Sequence, residues 1–159
     1  MRHILSFIVL LSLCACFPER KPASEEITFE KTSVEIARPG RPPLKLNVEL
    51  ADTPEKLERG LMYRSEMDDN AGMLFKFPAE SFISMWMANT SISLDMFFAD
   101  SRGRITEIVE ETVPLSRERI TSSEKTKIVL EMKAGTAGRL DIRPGDTIRL
   151  PIFGLEKEP

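Results

Sequence analysis

Two arginines five positions apart, Arg59 and Arg64, are the residues best suited to meet a charged ligand. A guanidinium offers a planar fork of donors that fits carboxylate, phosphate or sugar oxygens. The same pair also suits structural ion pairs, with Glu66 or with Asp95. Asp95 stands between Leu94 and Met96 in an apolar run. A carboxylate placed there is part-buried and needs a partner, because an unpaired buried charge is costly. Arg59 or Arg64 is the cation expected to supply it. Asn89 and Thr90 read either as turn formers that bond their own backbone or as ligand contacts. Trp86, the only Trp, lies between Met85 and Met87, so the two thioethers share one strand face and the indole takes the other. At least one face of that indole is expected to pack into the core. Arg59, Arg64, Trp86, Asn89, Thr90 and Asp95 together form the candidate ligand-binding surface.

Other chemistry is weaker. Met62, Met73, Met85, Met87 and Met96 invite a copper(I) reading, since thioethers suit soft metals. A Met-rich core explains them more simply. Glu66, Asp68, Asp69 and Asn70 offer oxygens for calcium, but their spacing fits no EF-hand loop. Ser122, Ser123 and Lys125 resemble a Ser-Lys dyad only by composition, because nothing places them on rigid elements. Gly135 and Gly138 beside a short helix suit turn geometry or an anion. No cofactor or metal is expected.

The beginning of the chain limits the chemistry further. Arg2 and His3 give a positive end, and Ile4 to Leu13 is a short apolar run. A membrane-spanning helix needs about twenty apolar residues, so residues 1–15 read as a signal peptide. Leu13-Cys14-Ala15-Cys16 resembles the lipobox of bacterial lipoproteins, with Cys16 the lipidated residue. An ordinary secretory signal is the alternative, and Leu13 fits it poorly. Residues 16–26 then form the lipidated Cys and a polar tether, and 27–159 a single domain. The leader carries away His3, the only His, and Cys14. What remains has no imidazole and no free thiol. That excludes Ser-His-Asp and Cys-His catalysis and any His-ligated metal site. Loss of Arg2 takes 22 Lys and Arg to 21, against 25 Asp and Glu. This mildly acidic balance gives no electrostatic case for nucleic acid. The expected location is the cell envelope, facing the periplasm or the extracellular side. The expected partners are the membrane, through lipid on Cys16, and an unidentified small molecule or envelope protein.

These residues are positioned by many short strands. Ile27 to Ala37 reads as an edge strand, and Pro39 to Pro43 as a loop. Leu44 to Leu50 alternates cleanly as a half-buried strand. Asp52 or Thr53 caps a helix that starts at Pro54 and buries Leu57, Leu61 and Met62. Ser65 to Ala71 is an acidic loop. Met73 to Phe77 and Phe82 to Met87 are strands around a Pro78 loop. Leu94 to Ala99 and Arg104 to Val109 form a hairpin about Gly103. Pro114 to Thr126 is a polar loop, Lys127 to Met132 a strand, and Gly135 to Leu140 a helical turn or two. A last strand spans Thr147 to Leu150 after the Pro144-Gly145 turn. The predicted class is α+β and mostly β: a small antiparallel barrel or sheet with one or two short helices.

Several spaced motifs resemble one family, domain of unknown function 192. They are Arg59-Gly60-Leu61-Met62-Tyr63-Arg64, Gly72-Met73-Leu74-Phe75-Lys76-Phe77, Met85-Trp86-Met87-Ala88-Asn89-Thr90, Leu94-Asp95 and Pro144-Gly145-Asp146. The match covers roughly Leu44 to Leu150. It implies a compact, mostly β fold and no assigned activity. Three positions depart from the family pattern: Met85 replaces a usual Phe, Ala88 a usual Lys and Ser93 a usual Pro. Any role resting on that Lys is absent here. The leading functional reading is a lipid-anchored, non-enzymatic ligand-binding or envelope-accessory module. The alternatives are a His-independent hydrolase, with a carboxylate base and an Arg substrate clamp, and Met-based copper(I) handling.

Overall fold

The computed structural model describes residues 27–150. The expected leader, Cys16 and the expected tether lie outside the described residues. The elements in chain order are β1 (Glu30–Arg38), β2 (Arg41–Ala51), α1 (Pro54–Arg59), β3 (Ala71–Ser81), β4 (Ser84–Met85), β5 (Leu94–Ala99), β6 (Ile105–Val109), β7 (Ile120–Thr121), β8 (Thr126–Lys133), α2 (Thr136–Leu140) and β9 (Thr147–Arg149). Seven strands form one sheet in the order β6-β5-β8-β3-β2-β1-β9, and β4 pairs with β7 in a small second sheet. The fold is therefore mostly β with two short helices. The large sheet curls as a half-barrel, and its two ends are stitched together. Ile105 N–H donates to Asp146 O, Gly145 N–H to Ile105 O and Ile148 N–H to Gly103 O, each at 2.8 Å.

Strand alternation splits the apolar residues between two cores. Val34, Ile36, Leu46, Leu74, Phe97 and Leu130 fill the concave side. Met73, Phe75, Met87, Leu94, Met96 and Phe98 pack on the convex side. Every residue of β5 is buried, because both faces of that strand are covered. Its apolar run Leu94-Asp95-Met96-Phe97-Phe98-Ala99 is what such a strand requires, and Asp95 is the exception within it.

Several elements differ from the sequence expectation. β1 lies between β2 and β9, not at an edge, because β9 returns to pair with it. β2 starts at Arg41, so Pro42 and Pro43 are in a strand and the turn is confined to Pro39-Gly40. β3 runs through Pro78 to Ser81. The strand expected over Phe82 to Met87 shrinks to β4, and β7 forms inside the expected loop to pair with it. β2 and β3 are parallel, so the sheet is mixed. The intervening segment with α1 supplies the crossover that parallel neighbours need.

Gly103 is where the stitching is tightest. Its φ is +79°, and a Cβ there would sit 2.2 Å from the Ile148 carbonyl oxygen. Gly40 shares the positive φ (+70°) but has nothing within 4 Å. Gly103→Ala is expected to lose more than about 1 kcal/mol in urea unfolding, and clearly more than Gly40→Ala. Equal losses would show that the ends of the sheet are not held as tightly as described.

Candidate functional site

The site is built where three chain segments meet. Thr53 caps α1 by accepting from Lys56 N–H, and Pro54 starts it. The helix ends at Gly60, whose φ of +45° turns the chain over the Phe75 ring, 3.0 Å from where a Cβ would lie. Leu61 then enters the convex core, and Tyr63 N–H donates to Asn89 O at 2.8 Å. The second segment, Trp86 to Thr90, is held by the third: Met87 N–H donates to Ser116 O (3.1 Å) and Leu115 N–H to Thr90 O (2.9 Å). Tyr63, Asn89 and Leu115 all adopt positive φ, at 65°, 58° and 61°. The left-handed region costs residues such as Tyr63 and Leu115 roughly 1–2 kcal/mol each, whereas an Asn such as Asn89 tolerates it, and such strain gathers at functional sites.

Trp86 stands on this platform with 46% of its surface exposed. It is not the core residue its isolation among large apolar neighbours implies. Met87 takes the buried position instead, and its sulfur accepts from the Thr112 hydroxyl. The Arg119 guanidinium lies 5.7 Å from the Trp86 ring centre, and Arg59 lies 4.6 Å from that of Tyr63. Two depressions flank the indole. The outer one, about 540 Å³, is lined by Ile27, Glu55, Tyr63, Ala88, Asn89 and Arg117. The inner one, about 280 Å³, lies between α1 and the sheet and is lined by Leu57, Phe75, Met85, Thr90, Leu94 and Glu131. Glu58, Arg59, Met62 and Trp86 border both.

Glu131 escaped the sequence reading. It lies on β8 with Met73 and Met96 as its register neighbours. It is only 4% exposed, and burial pushes its carboxyl up to about 8. Among the described residues, none hydrogen-bonds that carboxyl. At neutral pH it is a protonated acid bordering an apolar cavity. The signal was the same as for Asp95: one acidic residue in an apolar strand, Ile128 to Met132.

Asp95 has a different place. It is fully buried, and both carboxylate oxygens accept from backbone: Oδ1 from Glu111 N–H at 3.0 Å and Oδ2 from Ala137 N–H at 2.9 Å. Gly135 has the turn geometry expected of it, with φ +82°, and the carboxyl that meets the start of α2 is the protein's own Asp95. The expected pairing with Arg59 or Arg64 does not occur. Arg59 lies over Tyr63, and Arg64, in the segment after α1, pairs with Glu49 of β2 and lies 5.7 Å from the Phe29 ring. Arg59, Trp86, Asn89 and Thr90 are therefore brought together, whereas Arg64 and Asp95 lie apart from them. Asn89 and Thr90 are turn formers as well as lining residues: Thr90 N–H donates to Met87 O, and the Thr90 hydroxyl to Ala88 O. Ser122 accepts from Ile83 N–H and Ser123 donates to Glu107, so neither hydroxyl is held by a lysine. Asp69 pairs with Lys133, and Asn70 accepts from Arg139. Among the described residues, no group of three or more His, Cys, Asp or Glu is placed to hold a metal.

A family model described as DUF192, Uncharacterized ACR, matches residues 34–150. The chain belongs to the DUF192 family. No curated protein matches it. A solved structure from Sinorhizobium meliloti 1021, of a candidate transcription regulator, is 42% identical, with a TM-score of 0.76. That match covers 79% of this chain and 97% of the other. A protein of unknown function from Novosphingobium aromaticivorans DSM 12444 is 32% identical, with a TM-score of 0.70. It covers 74% of this chain and 83% of its own.

Two outcomes check this geometry. Asp95→Asn leaves one backbone N–H facing an amide that cannot accept from it, so unfolding free energy should fall by about 1–3 kcal/mol. Double-mutant cycles with Arg59→Gln and Arg64→Gln should show no coupling to it. Glu131 works in the opposite sense to a paired carboxylate. Its folded pKa is raised, so between about pH 5 and 8 the unfolded chain ionises while the folded one does not. Stability therefore falls across that window, by on the order of 1 kcal/mol per pH unit at most. Glu131→Gln should remove that slope, as read by urea unfolding at pH 5, 6, 7 and 8. An unchanged slope would place Glu131 in contact with water.

Proposed function

We propose that this DUF192 protein is a lipid-anchored, extracytoplasmic binding module that holds a small molecule against Trp86. The observation that carries the reading is the presentation of that indole. It stands half-exposed between two depressions, on a platform of three residues at positive φ, beside guanidiniums set over aromatic rings. Concave, mostly apolar surfaces with a few convergent polar groups are the usual form of small-ligand sites. The leader and the Cys16 lipobox pattern support the anchor. Ile27 lines the outer depression and is eleven residues from Cys16. At roughly 3.3–3.6 Å per residue, such a tether keeps the site within reach of a bilayer surface.

The hydrolase alternative has weaker support. Asp95 cannot serve as a general base, because backbone donors occupy both its oxygens. Glu131 is protonated at neutral pH and would be an acid, with exposed Glu58 the other carboxylate bordering that cavity. The regulator name attached to the Sinorhizobium protein does not transfer as DNA binding. The longest helix among the described residues has six residues, and the chain carries net negative charge. Neither suits insertion into a major groove.

Cys16→Ser should release the protein from membranes, and intact mass should show the loss of acyl chains; an unmodified native N-terminus contradicts the anchor. Trp86→Ala should cost less than the roughly 3–5 kcal/mol of a buried-Trp truncation. It should also abolish ligand-dependent stabilisation in a thermal-shift screen of envelope small molecules. A ligand whose shift survives Trp86→Ala places binding elsewhere.

A further inference from the structure

We infer that the inner cavity is a carboxylate-binding site in which Glu131 donates a hydrogen bond to the ligand's carboxylate and Arg59 and Arg119 supply the countercharge. This deepens the binding reading above and rests on it. The cavity holds about 280 Å³, at the small end of ligand sites and enough for one aromatic ring or a short acyl chain. Its walls are Leu57, Phe75, Met85 and Leu94, which accept an apolar body. Glu131 borders the cavity, nine-tenths buried or more, with no partner among the described residues.

A polar group withdrawn from bulk water without a protein partner is costly unless something in the cavity supplies one. Natural structures retain few of them, and each calls for an explanation. Here the acid is protonated at neutral pH, so it has an O–H to give. A carboxylate is the acceptor that returns the most. O–H to carboxylate bonds are short, and charge-assisted bonds are about twice as strong as neutral ones. The charge is met at the mouth. Arg59 and Arg119 line the cavity, and each guanidinium lies over an aromatic ring, 4.6 Å from the Tyr63 centre and 5.7 Å from the Trp86 centre. Among the described residues neither forms an ion pair, so their N–H edges are open. Glu58, on α1, is the other acidic residue bordering the cavity, and it is exposed to solvent. Leu57, Phe75 and Leu94, from α1, β3 and β5, bring no further charge.

The arrangement predicts binding that requires the protonated acid. Benzoate and butyrate, with toluene as the neutral control, probe it by isothermal titration of the full chain at pH 6, 7, 8 and 9. Benzoate or butyrate should bind with constant affinity up to about pH 8 and weaken about tenfold per pH unit above it. Glu131→Gln keeps a neutral donor and should bind the carboxylate with no such pH dependence. Glu131→Leu should lose the carboxylate while still taking up toluene. The inference is overturned if neither carboxylate binds at millimolar concentration. It is equally overturned if toluene binds as well as benzoate at every pH, or if the alkaline loss persists in Glu131→Gln. Trp86→Ala separates the two readings. Glu131-dependent benzoate binding that survives it sinks the Trp86 platform alone. Ligand shifts that need Trp86 but ignore Glu131 sink only the carboxylate site.

Discussion

The grip of Asp95 on two backbone N–H groups is the interaction on which the rest of the molecule depends. The carboxylate sits on the concave face of β5, out of contact with water. Through Ala137 it fixes the first turn of α2, whose Gly135 cap has no side chain to do so. Through Glu111 it fixes the start of the loop after β6. Thr112, next in that loop, donates its N–H to Leu94 O and accepts Leu94 N–H on its hydroxyl. Ser116 and Leu115 then hold Met87 and Thr90. One buried carboxyl thus links, through Glu111, Thr112 and Leu115, to the segment that carries Trp86. With two backbone N–H donors on its oxygens Asp95 needs no cation, and Arg59 and Arg64 make their contacts elsewhere, with Tyr63 and Glu49.

Glu131 is the contrasting case. It occupies the neighbouring strand, in an equally apolar sequence context, but on the convex face. No backbone donor meets it, so desolvation decides its state and holds it protonated. Two acids in adjacent strands therefore carry different chemistry. One is saturated and structural. The other is an unspent donor facing a cavity, a combination that concentrates at functional sites. Gly60 contributes to that cavity by letting the chain pass close over Phe75. Tyr63 and Asn89, both at positive φ, line the outer depression on the other side of Trp86.

Much of the architecture was legible in the sequence. Alternation at Leu44 to Leu50, the Thr53-Pro54 helix start and the Asp100-to-Gly103 turn each correspond to observed elements. What was not legible is mostly non-local. Nothing near β1 reveals that β9 returns to cover it. Pro42, Pro43 and Pro78 signal loops, yet the sheet tolerates them within strands. At the site, the residue types Arg59, Trp86, Asn89 and Thr90 were readable, and they converge. The partner of Asp95 was not readable, because backbone N–H groups leave no mark in side-chain chemistry. The exposure of Trp86 was hidden for a related reason. Period-two alternation assigns it to the face opposite Met85 and Met87 but does not say which face the protein covers. Glu131 had the same local pattern as Asp95, and only the fold shows that one is satisfied and the other is not.

The central claim is that Glu131 is a neutral hydrogen-bond donor in the folded protein at physiological pH. Carboxyl-carbon NMR, with selectively labelled glutamate and Glu131→Gln to assign the resonance, measures this directly. The account predicts one glutamate that stays protonated through neutrality, with a midpoint near 8. A midpoint for Glu131 between about 4 and 5, the ordinary range of a solvated glutamate, would contradict it.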